Sequence, residues 1–213
     1  MKLFKCGLFS MFVMVLCSCP DYSPHYHYYT KAFYLGEDAI VVSGKALDNN
    51  DSLDVHRDVL RDFKRISART KNADGWEITG TNKGNSEFSL TITTTANGVM
   101  LSPETIQTYK GPLMATIEFY LDDEDIFSGG ASYREKRETG YDYVYYRYVY
   151  VAETADLSET STEKNSLWWG YTTYHNDLNF SKPGWYKIVY QDPEPIKDNP
   201  KHSSGKNTLL FFW

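Results

Sequence analysis

Aromatic side chains are the residues of this sequence whose types and spacing suit ligand binding. As a strand, the segment 141–151 (YDYVYYRYVYV) would carry tyrosine on both faces, and a Trp-Trp pair follows it at 168–169. These side chains offer rigid apolar rings with a polar group, so an exposed row of them can stack on sugar rings or form a partner surface. The alternative is cross-strand packing inside a sheet. The candidate ligand-binding residues are Tyr146, Tyr148, Tyr150, Trp168 and Trp169.

Carboxylates are the other side chains that could do chemistry. Glu118 lies within the alternating pattern of a strand, and the acidic run 122–125 (Asp-Asp-Glu-Asp) follows it. Glycosidases use a pair of carboxylates, and Glu118 would take part if the protein were a hydrolase. A lone acid followed by an acidic turn is more typical of a solvent-exposed strand end, so we predict no catalytic residue. Whether the oxygen atoms of 122–125 bind calcium is left open by the sequence.

Motifs for nucleophilic catalysis, nucleotide binding and metal binding are lacking in this sequence. It contains no G-x-S-x-G, no P-loop and no dinucleotide fingerprint, and residues 20–213 contain no cysteine. His25 and His27 form an isolated H-x-H pair, which falls short of a metal-ligand set. We therefore predict a protein that is not an enzyme and has no metal and no cofactor.

The first nineteen residues have the pattern of an export signal. Lys2 and Lys5 precede an almost entirely apolar run at 6–17. This run is too short for a membrane-spanning helix, which needs ~20 residues, and it matches the ~7–15 apolar residues of a signal peptide. All three cysteines lie in this region, so residues 20–213 can form no disulfide. We predict a signal peptide over residues 1–18 and an exported chain.

A lipidation motif ends this region. Leu16-Cys17-Ser18-Cys19 resembles the lipobox of bacterial lipoproteins, in which a leucine and two small residues precede the lipidated cysteine. The resemblance implies that Cys19 becomes the new N-terminus and carries a diacylglycerol with fatty acyl chains such as palmitate. Its partner would then be the inner or outer membrane, with the domain facing the periplasm or the cell surface. The alternative is ordinary cleavage near Ser18, which leaves Cys19 as a free thiol.

Composition and charge restrict the class of protein further. The chain has 213 residues, of which 41% are apolar and 16% aromatic, which suits one folded domain and differs from a disordered segment. With 28 acidic and 22 basic side chains its formal charge is −6. Nucleic acid is therefore an unsuitable partner, because phosphate binding depends on Lys and Arg. We expect an envelope protein or a glycan as the partner.

A period of two dominates the chain after Ala39 and predicts strands. Apolar and polar residues alternate over 87–93 and again over 113–121, as they do in half-buried strands. One segment differs, because its apolar residues recur at helical spacing and charged residues fill the other face. This pattern predicts one amphipathic helix over about 52–68, packed against the sheet. Its apolar face would consist of Val59, Leu60, Phe63 and Ile66.

The segment 178–190 carries a second resemblance. Its Lys182-Pro183-Gly184 turn, followed by alternating aromatic and aliphatic residues, is similar to a late strand of bacterial immunoglobulin-like domains. The resemblance implies an antiparallel β-sandwich in which Tyr186 is a tyrosine corner, hydrogen-bonded back across the turn. It implies no function, since folds of this kind carry many functions.

The predicted organisation has three parts. Residues 1–18 are a signal peptide, residues 19–30 a lipid-anchored tether, and residues 31–213 a single, mainly β, immunoglobulin-like sandwich domain with one helix. The predicted function is that of a membrane-anchored envelope lipoprotein, acting as a non-enzymatic binding or structural module. The alternative is a carbohydrate-binding or carbohydrate-active protein that uses exposed Tyr and Trp side chains. Aromatic rings open to solvent would favour sugar binding.

Overall fold

The computed structural model describes residues 25–49, 58–60, 63–108, 111–122, 131–137, 140–165, 170–191 and 210–212. Within these ranges the chain is mainly β, as predicted, with seventeen strands and no helix. In chain order the strands are β1 (His25–Gly36), β2 (Ala39–Asn49), β3 (Asp58–Leu60), β4 (Arg65–Arg69), β5 (Glu77–Thr81), β6 (Glu87–Thr93), β7 (Thr95–Ala96), β8 (Val99–Met100), β9 (Met114–Leu121), β10 (Ala131–Arg137), β11 (Gly140–Val151), β12 (Ala155–Asp156), β13 (Glu159–Asn165), β14 (Gly170–Asp177), β15 (Asn179–Phe180), β16 (Gly184–Gln191) and β17 (Leu210–Phe212).

Most strands belong to one large sheet. One part of it runs in the order β13-β14-β1-β16-β11, and β11 then pairs with β9, which leads through β4 to β5. From β11 the sheet also continues through β10 and β17 to β2, which pairs with β3 and β6. Among the described pairs, β1 with β14 and β17 with β2 are parallel, and the others are antiparallel. The first described strand therefore lies inside the sheet, between two strands that come late in the chain.

Strand β16 is the centre of the structure because it is buried on both faces. It pairs with β1 on one side and β11 on the other, and its residues from Gly184 to Val189 are all buried. On one face Trp185 and Val189 enter the larger of two cores, whereas Tyr186 and Ile188 belong to a smaller core on the other face. A strand covered on both faces reads as a nearly continuous apolar run, and the sequence G-W-Y-K-I-V-Y approaches this pattern.

The larger core joins β2 and β6 to the strands around β11. The alternation of β6 buries Phe88, Leu90 and Ile92, while Glu87 and Thr91 remain exposed. The side chains that complete this core from the other strands include Ile66, Phe119, Tyr148 and Trp185. Apolar burial from several parts of the chain thus forms one contiguous cluster, which is the main stabilising term for such a domain.

The helix predicted over about 52–68 is wrong where the structure describes that segment. β3 and β4 are strands there, and β4 pairs with β5 on one side and β9 on the other. Ile66 and Ala68 of β4 are buried, as alternate residues on one face of a strand. Asp122 Oδ1 accepts hydrogen bonds from two backbone N–H groups at the start of β4, both at 2.8 Å. Backbone pairing on both edges decides in favour of a strand, although the apolar spacing fits a helix.

The tether predicted over residues 19–30 extends too far. Residues 25–30 form the first half of β1, where they pair in register with residues 171–176 of β14. Two nearby prolines and the lack of hydrophobic periodicity suggested a tether, but aromatic residues form a strand readily when a neighbour supplies the backbone partners. Residues 1–24, with the predicted signal peptide and Cys19, lie outside the described residues.

A tyrosine corner holds the turn that enters β16, as the sequence predicted. The hydroxyl of Tyr186 donates a hydrogen bond to the carbonyl of Lys182 at 2.8 Å, and the backbone N–H of Lys182 lies 3.3 Å from the same hydroxyl. Gly184 has a φ of 136°, and a side chain there would meet the carbonyl oxygen of Gly36 and the ring of Tyr34. The turn therefore needs both the glycine and the tyrosine hydroxyl.

Tyr186→Phe should lower the free energy of unfolding by about 1–2 kcal/mol, because it removes this hydrogen bond while keeping the packed ring. Urea unfolding followed by tryptophan fluorescence measures the change. Tyr171→Phe is the matched control at a ring that is 43% exposed, and it should change the free energy of unfolding by less than about 0.5 kcal/mol. Equal effects of the two substitutions would contradict a structural role for the corner.

Candidate functional site

The tyrosine row that the sequence suggested as a ligand platform lies inside the structure. Tyr146 is 2% exposed and Tyr148 is fully buried, and both belong to the larger core. Tyr150 is partly buried and packs against the same core. The expectation of an open platform is therefore wrong for this row, because the core covers this face of β11. Trp168 and Trp169 lie outside the described residues.

A lysine ammonium group occupies the core beside this row. Lys187 is opposite Tyr148 in the pairing of β16 with β11, and it is 1% exposed. Its Nζ lies 4.3 Å from the centre of the Tyr146 ring and 5.9 Å from that of Tyr148. The ring faces attract the cation and offset part of the cost of removing it from water. Burial nonetheless lowers the pKa of Lys187 from its ordinary value to about 8.

Lys187→Met should remove a pH dependence of stability. Because the folded state lowers the pKa of Lys187, the unfolded chain binds this proton more tightly, and the buried charge destabilises the fold most at and below pH 8. Between pH 7 and 9 the wild-type free energy of unfolding should therefore rise by about 1 kcal/mol relative to the variant.

Urea unfolding at a series of pH values measures this difference. Lys83→Met changes an exposed lysine and should keep the wild-type pH profile. Parallel pH profiles for the wild type and Lys187→Met would contradict this prediction, because they would mean that folding does not change the pKa of Lys187.

The acidic residues singled out in the sequence have structural partners. Glu118 on β9 has a side chain that is 14% exposed, and the hydroxyl of Tyr120 donates to it at 2.6 Å. Lys71 Nζ lies 3.4 Å from the same carboxylate. Glu118 thus has a hydroxyl group and an ammonium group as polar partners. Asp122 holds the start of β4, and residues 123–125 lie outside the described part of the chain.

Exposed aromatic side chains gather instead at the outer end of the large sheet. This surface, which we call the outer ribbon, consists of β13, β14 and residues 25–31 of β1. Tyr26, Tyr28 and Tyr174 lie on one of its faces and Tyr171 on the other, each between 36% and 44% exposed. The rings of Tyr28 and Tyr174 are 5.8 Å apart between centres and inclined by 20°. The ribbon therefore presents a pair of nearly parallel rings to solvent.

The opposite face of the outer ribbon carries imidazole rings and a shallow cleft. Tyr29 stacks on His175, with 4.5 Å between ring centres and 8° between planes. Lys31 Nζ forms an ion pair with Asp177 Oδ2 at 3.4 Å. These four side chains and Thr160 contribute to the lining of a cleft of about 270 Å³. Ring faces, charges and a hydroxyl in one depression suit a polar ligand.

Sequence reasoning missed the outer ribbon because part of it was assigned to the tether. The pairing of β1 with β14 joins His27 to His175, which are 148 positions apart, and no local pattern indicates so distant a partner. The signal that could have found it is the alternation H-Y-H-Y at residues 25–28, which places imidazoles on one face of a strand and phenols on the other.

Comparisons with family models, curated proteins and solved structures find no match to this chain. Within the described ranges, no helix has the length and apolar character needed to cross a membrane. The same residues contain no group of three or more His, Cys, Asp or Glu side chains arranged to hold a metal ion.

Proposed function

We propose that this chain is a membrane-anchored envelope lipoprotein that acts as a non-enzymatic binding module through its outer ribbon. The observation that carries this proposal is the exposure of four tyrosines there. Seven large apolar or aromatic side chains are exposed in the described part of the chain, and four of them lie on the ribbon. Clustered exposed rings are typical of surfaces that a partner covers, and tyrosine is among the residues that contribute most to binding.

The strands of the ribbon are also held by backbone pairing, which favours binding over a purely structural role. Its strands are paired along their length, with β14 lying between β13 and β1. Lys31 and Asp177 link the two parallel strands by their ion pair. Rings fixed by a paired backbone lose little conformational entropy when a ligand stacks on them.

Carbohydrate binding is the second candidate function, and the polar groups beside the tyrosine pair favour it. Thr30 and Asn176 lie on the same face as Tyr28 and Tyr174 in the paired register, and they add a hydroxyl and a carboxamide. Sugars present an apolar ring face edged by hydroxyl groups. Such a ligand matches an aromatic ring with hydrogen-bonding side chains next to it.

We further propose that the domain is an immunoglobulin-like β-sandwich. Its support is the tyrosine corner of Tyr186 and the presence of a core on each face of β16. The parallel pairing of β1 with β14 departs from a fully antiparallel sandwich. This proposal concerns the fold alone and carries no function.

Lipidation at Cys19 is the first test. We expect the protein, expressed with its own leader in a bacterial host, to sediment with membranes and to have an intact mass that starts at Cys19 with added acyl chains. Cys19→Ala should lack this modification, because the thioether needs the sulfur atom. Cys17→Ala keeps a small residue two positions before Cys19 and should be lipidated normally. An unmodified wild-type chain starting near Cys19 would contradict the anchor.

The tyrosine pair is the second test. Screening the mature protein against arrayed envelope glycans, followed by calorimetry with the best ligand, should show binding that the double variant Tyr28→Ser, Tyr174→Ser weakens at least tenfold. Each lost stacking contact is worth about 1 kcal/mol. Met100→Ser changes a side chain that is 56% exposed outside the ribbon and should leave affinity unchanged. Equal affinity of wild type and double variant would remove the pair as the sugar site, and no glycan binding at all would remove the carbohydrate candidate.

A further inference from the structure

Two histidines of the outer ribbon share a hydrogen bond. His27 Nδ1 on β1 and His175 Nε2 on β14 are 3.1 Å apart. The ring centres are 5.4 Å apart and the ring planes are inclined by only 18°. The two nitrogens therefore lie between the ring centres, nearly on the line that joins them. This is the geometry of an N–H···N hydrogen bond in which one imidazole donates and the other accepts.

This bond lies at the outer end of β1, where the backbone pairs with one neighbouring strand in the described structure. In the described structure, β16 pairs with β1 only from Tyr29 onward, so residues 25–28 pair with β14 alone. The ring of His25 stacks on that of His27 at 4.6 Å between centres. His25 Nε2 also lies 2.7 Å from Thr173 Oγ1 on β14. A short imidazole network thus connects the end of one strand to its parallel neighbour.

The charged groups that the described residues place near the pair would not offset the positive charge of additional protons on it. The titratable groups that the described strands present on this face near the pair are His25, Tyr29, Lys31, Tyr171, Asp177 and Lys164. β16 presents no titratable group beside the pair within the described residues. The one carboxylate, Asp177, already forms the ion pair with Lys31. Two imidazolium ions at this site would therefore face each other with little relief from their surroundings.

We propose that His27 and His175 form a proton-operated latch, which holds the outer end of β1 on β14 while at least one imidazole is neutral and opens when both are protonated. A neutral imidazole has one donor and one acceptor, so the bond survives the first proton. Two imidazolium rings have donors only, so the bond is lost and the two charges repel. Imidazole is the side chain whose charge changes between pH 5 and 8.

The latch does not depend on the identity of any ligand. If the proposed function holds, opening would separate Tyr28 from Tyr174, and a ligand bound by both rings would be released as the pH falls. The structural transition itself can be measured without a ligand, so its failure and the failure of the proposed function are distinguishable.

Nitrogen NMR of the mature protein, labelled with ¹⁵N in histidine, tests the hydrogen bond directly. We expect a through-hydrogen-bond coupling between His27 Nδ1 and His175 Nε2 at pH 8 and its loss at pH 5. Amide hydrogen exchange of residues 25–28, corrected for the intrinsic rate at each pH, should become at least tenfold faster at pH 5. Amides of β16 should keep their protection. A coupling that persists at pH 5, or that is missing at pH 8, would overturn the latch.

Substitutions distinguish protonation of His27 and His175 from other effects of low pH. His27→Gln and His175→Gln keep a polar group but cannot bind the proton, so either should abolish the difference in exchange between pH 8 and pH 5. His25→Gln is the matched control, on the same strand and face. It should retain both the nitrogen coupling between His27 and His175 and the difference in amide exchange between pH 8 and pH 5. The latch is wrong if exchange of residues 25–28 responds to pH equally in the wild type and in both pair variants.

Discussion

The burial of β16 on both faces is the constraint on which the rest of the structure depends. A strand that contributes to a core on each face must carry apolar or aromatic side chains on both faces. Trp185 belongs to the larger core and Tyr186 to the smaller one. The same constraint places Lys187 in the core, where its ammonium group lies near two tyrosine rings of β11. Because β16 joins β1 to β11, the outer ribbon is connected to the rest of the sheet by a strand that is buried from Gly184 to Val189.

Local patterns predicted β6 and β9, because burial alternates along β6 and along β9 as far as Phe119. The Asn97-Gly98 pair forms the turn between β7 and β8, with φ values of 50° and 78° that these residues tolerate. The helix prediction failed on the same kind of pattern. The three-residue spacing of Phe63 and Ile66 fits a helix, but Phe63 lies before β4 begins. Nothing local shows that Asp122 would hold the backbone at the start of β4.

The prediction of the binding surface failed for a different reason. The exposure of a ring depends on what covers it, which is a tertiary property that periodicity does not contain. Tyr148 and Tyr28 both lie in tyrosine-rich alternating segments, yet one is fully buried and the other is 41% exposed. The difference arises because the smaller core covers this face of β1 from Ala32 onward, so Tyr28 lies beyond the covered part of the sheet.

The position of β1 also governs how the chain reaches this fold. β1 is the first strand in the described chain, yet the contact between His27 and His175 spans 148 positions, and β16 follows β14. Closing so long a loop costs conformational entropy before its contacts form, and non-local pairings of this kind are associated with slower folding. Until β14 and β16 have been synthesised, the two strands that flank β1 do not exist. β1 therefore cannot take its place in the sheet before the last third of the chain is available, whereas β2 can pair with β6, and β4 with β5 and β9, without it.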